Sequence, residues 1–202
     1  DSMRHPAFSV IIPAYNCGHL IGNALRSVLH QTCRDFEIII IDDGSTDGTK
    51  DAVAAFSDER IFYFRQERSG RPACARNAGI RQAHGDYIAF LDADDIWYAR
   101  KLERVLEAFS GHPDIGLVCN DELVTRNGST VRVNQYGPAG GDMVERLLLQ
   151  GNALSTSATV VKRTWLEQAG GFCEREDYYC VEDYDLWIRL AAAGCRFFFL
   201  HQ

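Results

Sequence analysis

The chain has 202 residues, enough for one globular domain, or one sizeable domain with an appended lobe, around a substantial core. Apolar residues make up 46% of it and charged residues 24%, which excludes a disordered tail. A net charge of -7 and a pI near 5.3 point away from nucleic acid as a partner, because binding a phosphate backbone needs a surplus of Lys and Arg.

The seven cysteines, at 17, 33, 74, 119, 173, 180 and 195, form no CxxC pair. Their odd number and wide spacing favour reduced thiols over a disulfide scaffold or a zinc site, and a cytoplasmic location is expected. The longest apolar runs, FSVIIPAY and FEIIII, fall far below the roughly 18 residues of a membrane span, and no secretory leader is expected. The opening DSM reads as foreign to the natural chain. FFFLHQ stops just after a strand-like run, so the natural protein is expected to continue.

In chain order, FSVII at 8–12 reads as a strand stopped by Pro13, and Leu20, Ala24, Leu25, Val28 and Leu29 then recur at helical spacing over about 19–30. FEIIII at 36–41 is apolar on both faces, as a central parallel strand should be, and DDGSTDGT leads from it into a helix over about 48–56. RIFYF at 60–64 is a third strand, and PACARNAGIRQA a third helix with Pro72 in its first turn. DYIAFL at 86–91 is a fourth strand, followed by a helix with Leu102, Val105, Leu106 and Phe109 on one side.

Four strand and helix units in succession predict an α/β fold with a mostly parallel central sheet flanked by helices. Beyond about residue 114 the alternation loosens. IGLVCNDELV reads as a strand with a polar bend, 130–134 as a short edge strand, 141–149 as a helix, SATVV as a strand, TWLEQAG as a short helix closed by Gly170 and Gly171, and EDYDLWIRLAAAG as a helix ended by Gly194. The second half is expected to be a lobe built onto the same sheet.

Ligands of such sheets gather at the carboxyl ends of the strands. Tyr15 and Asn16, Asp42 and Asp43, and Asp92 and Asp94 all fall there. No GxGxxG or GxxxxGK[ST] occurs, so a nucleotide would be held by its base edge and not by a phosphate loop. Asp43 could accept the imino hydrogen of a uracil or similar base, or DDGSTDGT could be an Asx-type turn and nothing more. Asp92 and Asp94 suit Mg²⁺ or Mn²⁺, whose remaining ligands would be phosphate oxygens, while Asp95 reads as a helix cap. Arg71, at the start of the third helix, could reach the nucleotide. Arg76 is expected on a different face, with no task beyond solubility. Glu182 and Asp183 open a helix and could be capping groups, or one of them a general base. Trp97 follows the acidic loop closely enough to pack over a sugar. None of His5, His19, His30, His84 or His112 has metal or triad spacing; His201 could approach the metal.

The ordered set VIIPAYN at 10–16, FEIIIIDDGSTD ending at 47, GRPACARNAG at 70–79, GDYIAFLDADD at 85–95, GGF at 170–172 and EDYDLWIRL at 182–190 resembles the family 2 glycosyltransferases of the GT-A fold. The resemblance implies inverting transfer of a sugar from a nucleoside diphosphate sugar, most often a UDP-sugar, to an acceptor hydroxyl, with Mn²⁺ or Mg²⁺ as cofactor. It implies that Pro13, Ala14 and Tyr15 line the nucleoside site, that Asp43 contacts uracil, that Arg71 lies at the nucleotide side, and that Asp92 sits near the ribose or metal. Asp94 would be the firmest metal ligand, Asp183 the general base, and Glu182 would shape the acceptor side. The whole of 1–202 would be one GT-A domain, with about 8–112 binding the nucleotide sugar and about 113–202 the acceptor. The acceptor would be a glycan, a lipid-linked glycan or a protein, and the full-length protein could associate peripherally with the inner face of a membrane. Two departures stand out. Cys173 follows GGF where the family often has Asp, with Glu174 as a substitute contact, and a later segment with a metal-side histidine is missing. The competing readings are a nucleotidyltransferase and a non-catalytic nucleotide or sugar binding module.

Overall fold

The computed structural model describes residues 5–137 and 141–201. The opening DSM and the last residue, Gln202, lie outside them. The chain runs β1 (Phe8–Ala14), α1 (Ile21–Leu29), β2 (Phe36–Asp42), α2 (Thr49–Ala54), β3 (Ile61–Arg65), α3 (Pro72–Gln82), β4 (Tyr87–Phe90) and α4 (Lys101–Gly111). It continues with β5 (Ile115–Asn120), β6 (Glu122–Arg126), β7 (Ser129–Asn134), α5 (Met143–Gln150), β8 (Thr159–Lys162), α6 (Arg163–Ala169), α7 (Glu182–Ala192) and β9 (Arg196–Leu200).

Seven strands form one sheet in the order β3-β2-β1-β4-β8-β5-β9. Only β8 runs against its neighbours; β3, β2, β1 and β4 are mutually parallel, as are β5 and β9. The fold is therefore α/β with a mostly parallel sheet, as the strand and helix alternation predicts. Alternation of side chains along β1 and β2 splits the core into two layers. Val10, Ile12, Ile38 and Ile40 pack with Leu25 and Val28 of α1 and Leu102 and Val105 of α4. Ile11, Ile39 and Ile41 pack on the other face with Ala73 and Ala75 of α3, Leu166 of α6 and Trp187 of α7. Each fully buried isoleucine is worth about 1.5–3 kcal/mol. On that second face α3 lies close to the sheet, because a Cβ at Gly79 would come within 2.5 Å of Ile11 Cγ2.

Pro13 does not stop β1, which continues to Ala14. Successive residues of a parallel strand turn their backbone groups to alternate neighbours. Leu91 N–H donates to the Ile11 carbonyl and Asp43 N–H to that of Ala14, so odd residues of β1 face β4 and even ones β2. The pairing with β4 ends at Ile11 and Phe90, so Pro13 lacks its N–H where no strand needs it.

Two expectations for the second half need correction. The run IGLVCNDELV holds two strands, β5 and β6, not one bent strand. The segment predicted as an edge strand pairs with β6 in a separate hairpin, turned at Asn127 and Gly128, whose φ values of 51° and 76° suit a two-residue turn. Among the described residues no helix is long and apolar enough to cross a membrane.

Candidate active site

A cavity of about 430 Å³ opens at the carboxyl ends of β1, β2 and β4. Its lining includes Pro13, Ala14, Tyr15, Asp43, Arg71, Asp92 and Asp94, so the residues singled out around the strand ends converge on one place. Arg68 and Arg76 join them. The Arg68 guanidinium lies over the half-exposed ring of Tyr15, 3.5 Å from its centroid.

The first two loops interlock. Asn16 N–H donates to Ser45 Oγ at 2.9 Å, Cys17 N–H to Thr49 Oγ1 at 3.0 Å and Gly18 N–H to Asp47 Oδ2 at 3.1 Å. Asn16, at φ 47°, returns the contact by accepting from Thr46 N–H at 2.8 Å. Three successive amides that a phosphate loop would aim at its ligand are thus already engaged. The approach is so close that a Cβ at Gly18 would lie 2.8 Å from the Gly48 carbonyl carbon. Buried Asp42 accepts from Ser45 N–H and from the Tyr63 hydroxyl, which ties the turn to β3.

Asp43 is buried and organises the loop after β3. Its Oδ1 accepts from Gln66 Nε2 at 2.7 Å and from Ser69 N–H and Oγ at 2.9 Å, and its Oδ2 from Gly70 N–H at 2.9 Å. Burial alone would raise its pKa, but these hydrogen bonds outweigh it and hold the carboxyl below the usual range. Oδ1 is saturated, while Oδ2 keeps acceptor capacity for a base edge.

At the end of β4, Asp92 N–H donates to Ser157 Oγ at 3.0 Å and Asp92 Oδ1 accepts from Arg76 Nη2 at 2.8 Å. Asp94 is exposed to the cavity, and among the described residues no hydrogen bond or ion pair engages it. Asp95 does not cap a helix: α4 starts later, after Arg100, with no side-chain cap. Partial enclosure, with Asp92, Asp94 and Glu122 nearby, pushes its carboxyl up despite a hydrogen bond from Ser157. Among the described residues no group of three His, Cys, Asp or Glu could hold a metal ion by itself. The free Asp94 carboxylate and Asp92 Oδ2 nevertheless fit Mg²⁺ or Mn²⁺, hard ions that use one or two carboxylates and take their other ligands from phosphate and water. His201 is placed elsewhere, 3.2 Å from the Asp121 carboxylate.

Three expected placements change. Trp97 is 7% exposed and belongs to the core; its indole N–H donates to the Ser157 carbonyl at 3.0 Å and Lys101 Nζ lies 4.3 Å from its ring, so it has no free face for a sugar. Glu182, expected at the acceptor side, is buried with Oε1 on Arg76 Nη1 at 3.1 Å. Arg76, expected exposed, is 6% exposed on the sheet-facing side of α3. Asp183, half-buried in the first turn of α7, accepts from Thr156 Oγ1 at 3.2 Å and Asn152 Nδ2 at 3.3 Å, and does not line the cavity. The GGF turn is clamped by Asn77, which accepts from Phe172 N–H and donates to its carbonyl, both at 2.8 Å. Arg71 donates to the Glu174 carbonyl at 2.6 Å, and the Glu174 carboxylate accepts from Asn77 Nδ2 at 2.8 Å, which draws it toward α3. Arg68 and Ser157 had no sequence signal stronger than their neighbourhood.

Residues 9–158 match the family described as glycosyl transferase family 2. The chain belongs to that family. Curated relatives agree: the chain is 33% identical over 196 residues to the Escherichia coli UDP-Glc:alpha-D-GlcNAc-diphosphoundecaprenol beta-1,3-glucosyltransferase WfgD, covering 94% of this chain and 74% of the relative. It is 36% identical over 171 residues to an uncharacterized glycosyltransferase of Nostoc sp., covering 79% of this chain and 52% of that one. Among solved structures, S. aureus TarS 1-349 in complex with UDP superposes with a TM-score of 0.81 at 23% identity, over 96% of this chain and 57% of TarS. The Pyrobaculum calidifontis mannosyltransferase PcManGT, in complex with GDP-Man and Mn²⁺, gives 0.74 at 25% identity, over 100% of this chain and 56% of that one. The fold is thus GT-A and the family one of glycosyltransferase enzymes. The chain spans about half the length of the Nostoc relative and of these two structures.

Proposed function

We propose that the full-length protein transfers a sugar from a UDP-sugar to an acceptor hydroxyl with inversion at the anomeric carbon. The observation that carries this is the convergence of Tyr15, Asp43, Arg71, Asp92 and Asp94 on one cavity at the strand ends. Tyr15 offers a ring for the base, Asp43 Oδ2 an acceptor for its imino hydrogen, and Arg71 a cation toward the nucleotide. Asp94 and Asp92 would hold Mn²⁺ or Mg²⁺, whose charge offsets that of the departing diphosphate. Asp183 acts as general base, taking the proton of the acceptor hydroxyl as it attacks; such assistance is typically worth about 10²- to 10⁴-fold. TarS in complex with UDP and PcManGT in complex with GDP-Man and Mn²⁺ support the donor class and the ion.

In this reading about 8–112 form the nucleotide-sugar half and about 113–202 the acceptor half. The diphosphoundecaprenol in the name of WfgD supports a lipid-linked glycan acceptor, which would bring the full-length protein to the inner face of a membrane. The test is to incubate full-length protein with Mn²⁺ and a panel of nucleotide sugars and measure free nucleoside diphosphate. Release of UDP from one UDP-sugar is expected. Release from none of the panel, or of a diphosphate other than UDP, overturns the reading.

A further inference from the structure

Arg76 sits midway along α3 with its side chain 7% exposed, held by carboxylates from two distant segments. Nη2 donates to Asp92 Oδ1 at 2.8 Å, and Nη1 donates to Glu182 Oε1 at 3.1 Å. Phe172 lies against the guanidinium, its centroid 5.6 Å from Cζ. That ring packs edge-on against Phe90, the last residue of β4, and Trp187 of α7. A single planar group thus touches the acidic loop and the first turn of the helix that carries Asp183.

As a stabilising device this arrangement is poor. Taking charges out of water costs more than a buried pair reliably returns, and apolar side chains of similar volume often serve stability as well. Here Arg76 Nε and Glu182 Oε2 are in addition buried without a partner among the described residues. What the guanidinium does supply is geometry: a rigid fork whose two arms fix the separation of the groups they hold. It also claims one oxygen of Asp92 and leaves the other open.

We propose that Arg76 is a positioning residue, a strut that locks the sugar-donor loop at Asp92 to the start of α7 so that events at one are felt at Asp183. Its catalytic meaning rests on the functional reading above; the strut itself does not need it.

Amide hydrogen exchange on the full-length protein tests the strut without any ligand. A lysine reaches one carboxylate at a time and a leucine offers no acceptor, so Arg76→Lys, and likewise Glu182→Leu, is expected to speed exchange about tenfold at the amides of 92–95 and 181–185 and to leave those of β2 unchanged. The double variant is expected to be no faster than either single one, because both remove the same link. Unchanged exchange in the two segments, or additive effects, overturns the proposal.

With UDP and Mn²⁺ added, wild type is expected to gain protection in both segments and Arg76→Lys only at 92–95. Equal protection of 181–185 in the variant overturns the coupling. In turnover, Arg76→Lys is expected to lower kcat about tenfold while the donor KM stays within about threefold; a loss confined to KM speaks against the strut. Failure of wild type to bind UDP would sink the donor assignment, and the ligand-free comparison would still decide the strut.

Discussion

Asp183 and Asp94 are assigned separable tasks, and each can be removed alone. Asp183 stands outside the cavity lining, so Asp183→Asn is expected to leave UDP affinity, measured by calorimetry, nearly unchanged and to cut turnover by about 10²- to 10⁴-fold. A large loss of binding would reject it as the base. Asp94 has no partner among the described residues, so Asp94→Ala costs no internal contact and is expected to weaken Mn²⁺-dependent UDP binding by at least about tenfold. The same titration in EDTA should show no difference between wild type and variant. The convergence of Tyr15, Asp43, Asp92 and Asp94 on one cavity was legible because they are polar residues directly after apolar strands, and topology alone brings such positions together. Trp97 was not legible in the same way. Its backbone N–H and its indole are held by Ser27 and Ser157, 70 and 60 residues away, and no local pattern reports such partners. Arg76 was missed because its charge was read as exposure, although buried Ala73 and Gly79, each three residues from it, mark the face it shares.

At the scale of elements, helices with broad apolar stripes and strands apolar on both faces were readable, and α3 was the informative exception. Its buried residues are Arg76 and Asn77 together with three small ones, Ala73, Ala75 and Gly79, and the small ones permit a close approach to β1 where larger side chains would hold the helix away. Gly79→Val is expected to destabilise the protein by about 1–3 kcal/mol through overpacking against Ile11, whose Cγ2 already leaves only 2.5 Å for a Cβ. A denaturant midpoint at the wild-type value would show that the approach is less constrained than described. The direction of β8 could not be read, since SATVV carries a strand signal without a sign. Its antiparallel insertion between β4 and β5 depends on where α5 and the following segment return the chain.

For the whole molecule, buried titratable groups set opposing dependences of stability on pH. Burial pushes the Lys101 ammonium down from 10.5 to about 7, although its Nζ still donates to the Ser157 carbonyl. Between those two values the unfolded chain holds a proton that the folded chain has lost, so stability rises with pH, by at most about 1.4 kcal/mol per unit for one group. Burial acts the other way on the thiols of Cys17, Cys119 and Cys195, raising them from 9.0 to about 11, 12 and 12. Above about 9 the unfolded thiols ionise while the folded ones stay protonated, and three falling contributions outweigh the one that rises. Thermal or denaturant unfolding across pH is expected to show a maximum near 9. In Lys101→Met the climb from 7 to 9 should vanish while the decline above it persists; an unchanged climb would exclude Lys101 as its source.

The interlocked hydrogen bonds of Asn16, Cys17 and Gly18 bear on the order of events in solution. With those hydrogens turned inward and Pro13 carrying none, the loop after β1 has few backbone donors for a diphosphate, and the positive groups left in the cavity are arginines, Arg68 and Arg71 among them. If the proposed function holds, a divalent ion at Asp92 and Asp94 adds to those cations, and saturation curves are expected to follow the concentration of the ion–nucleotide chelate more closely than that of either species by itself.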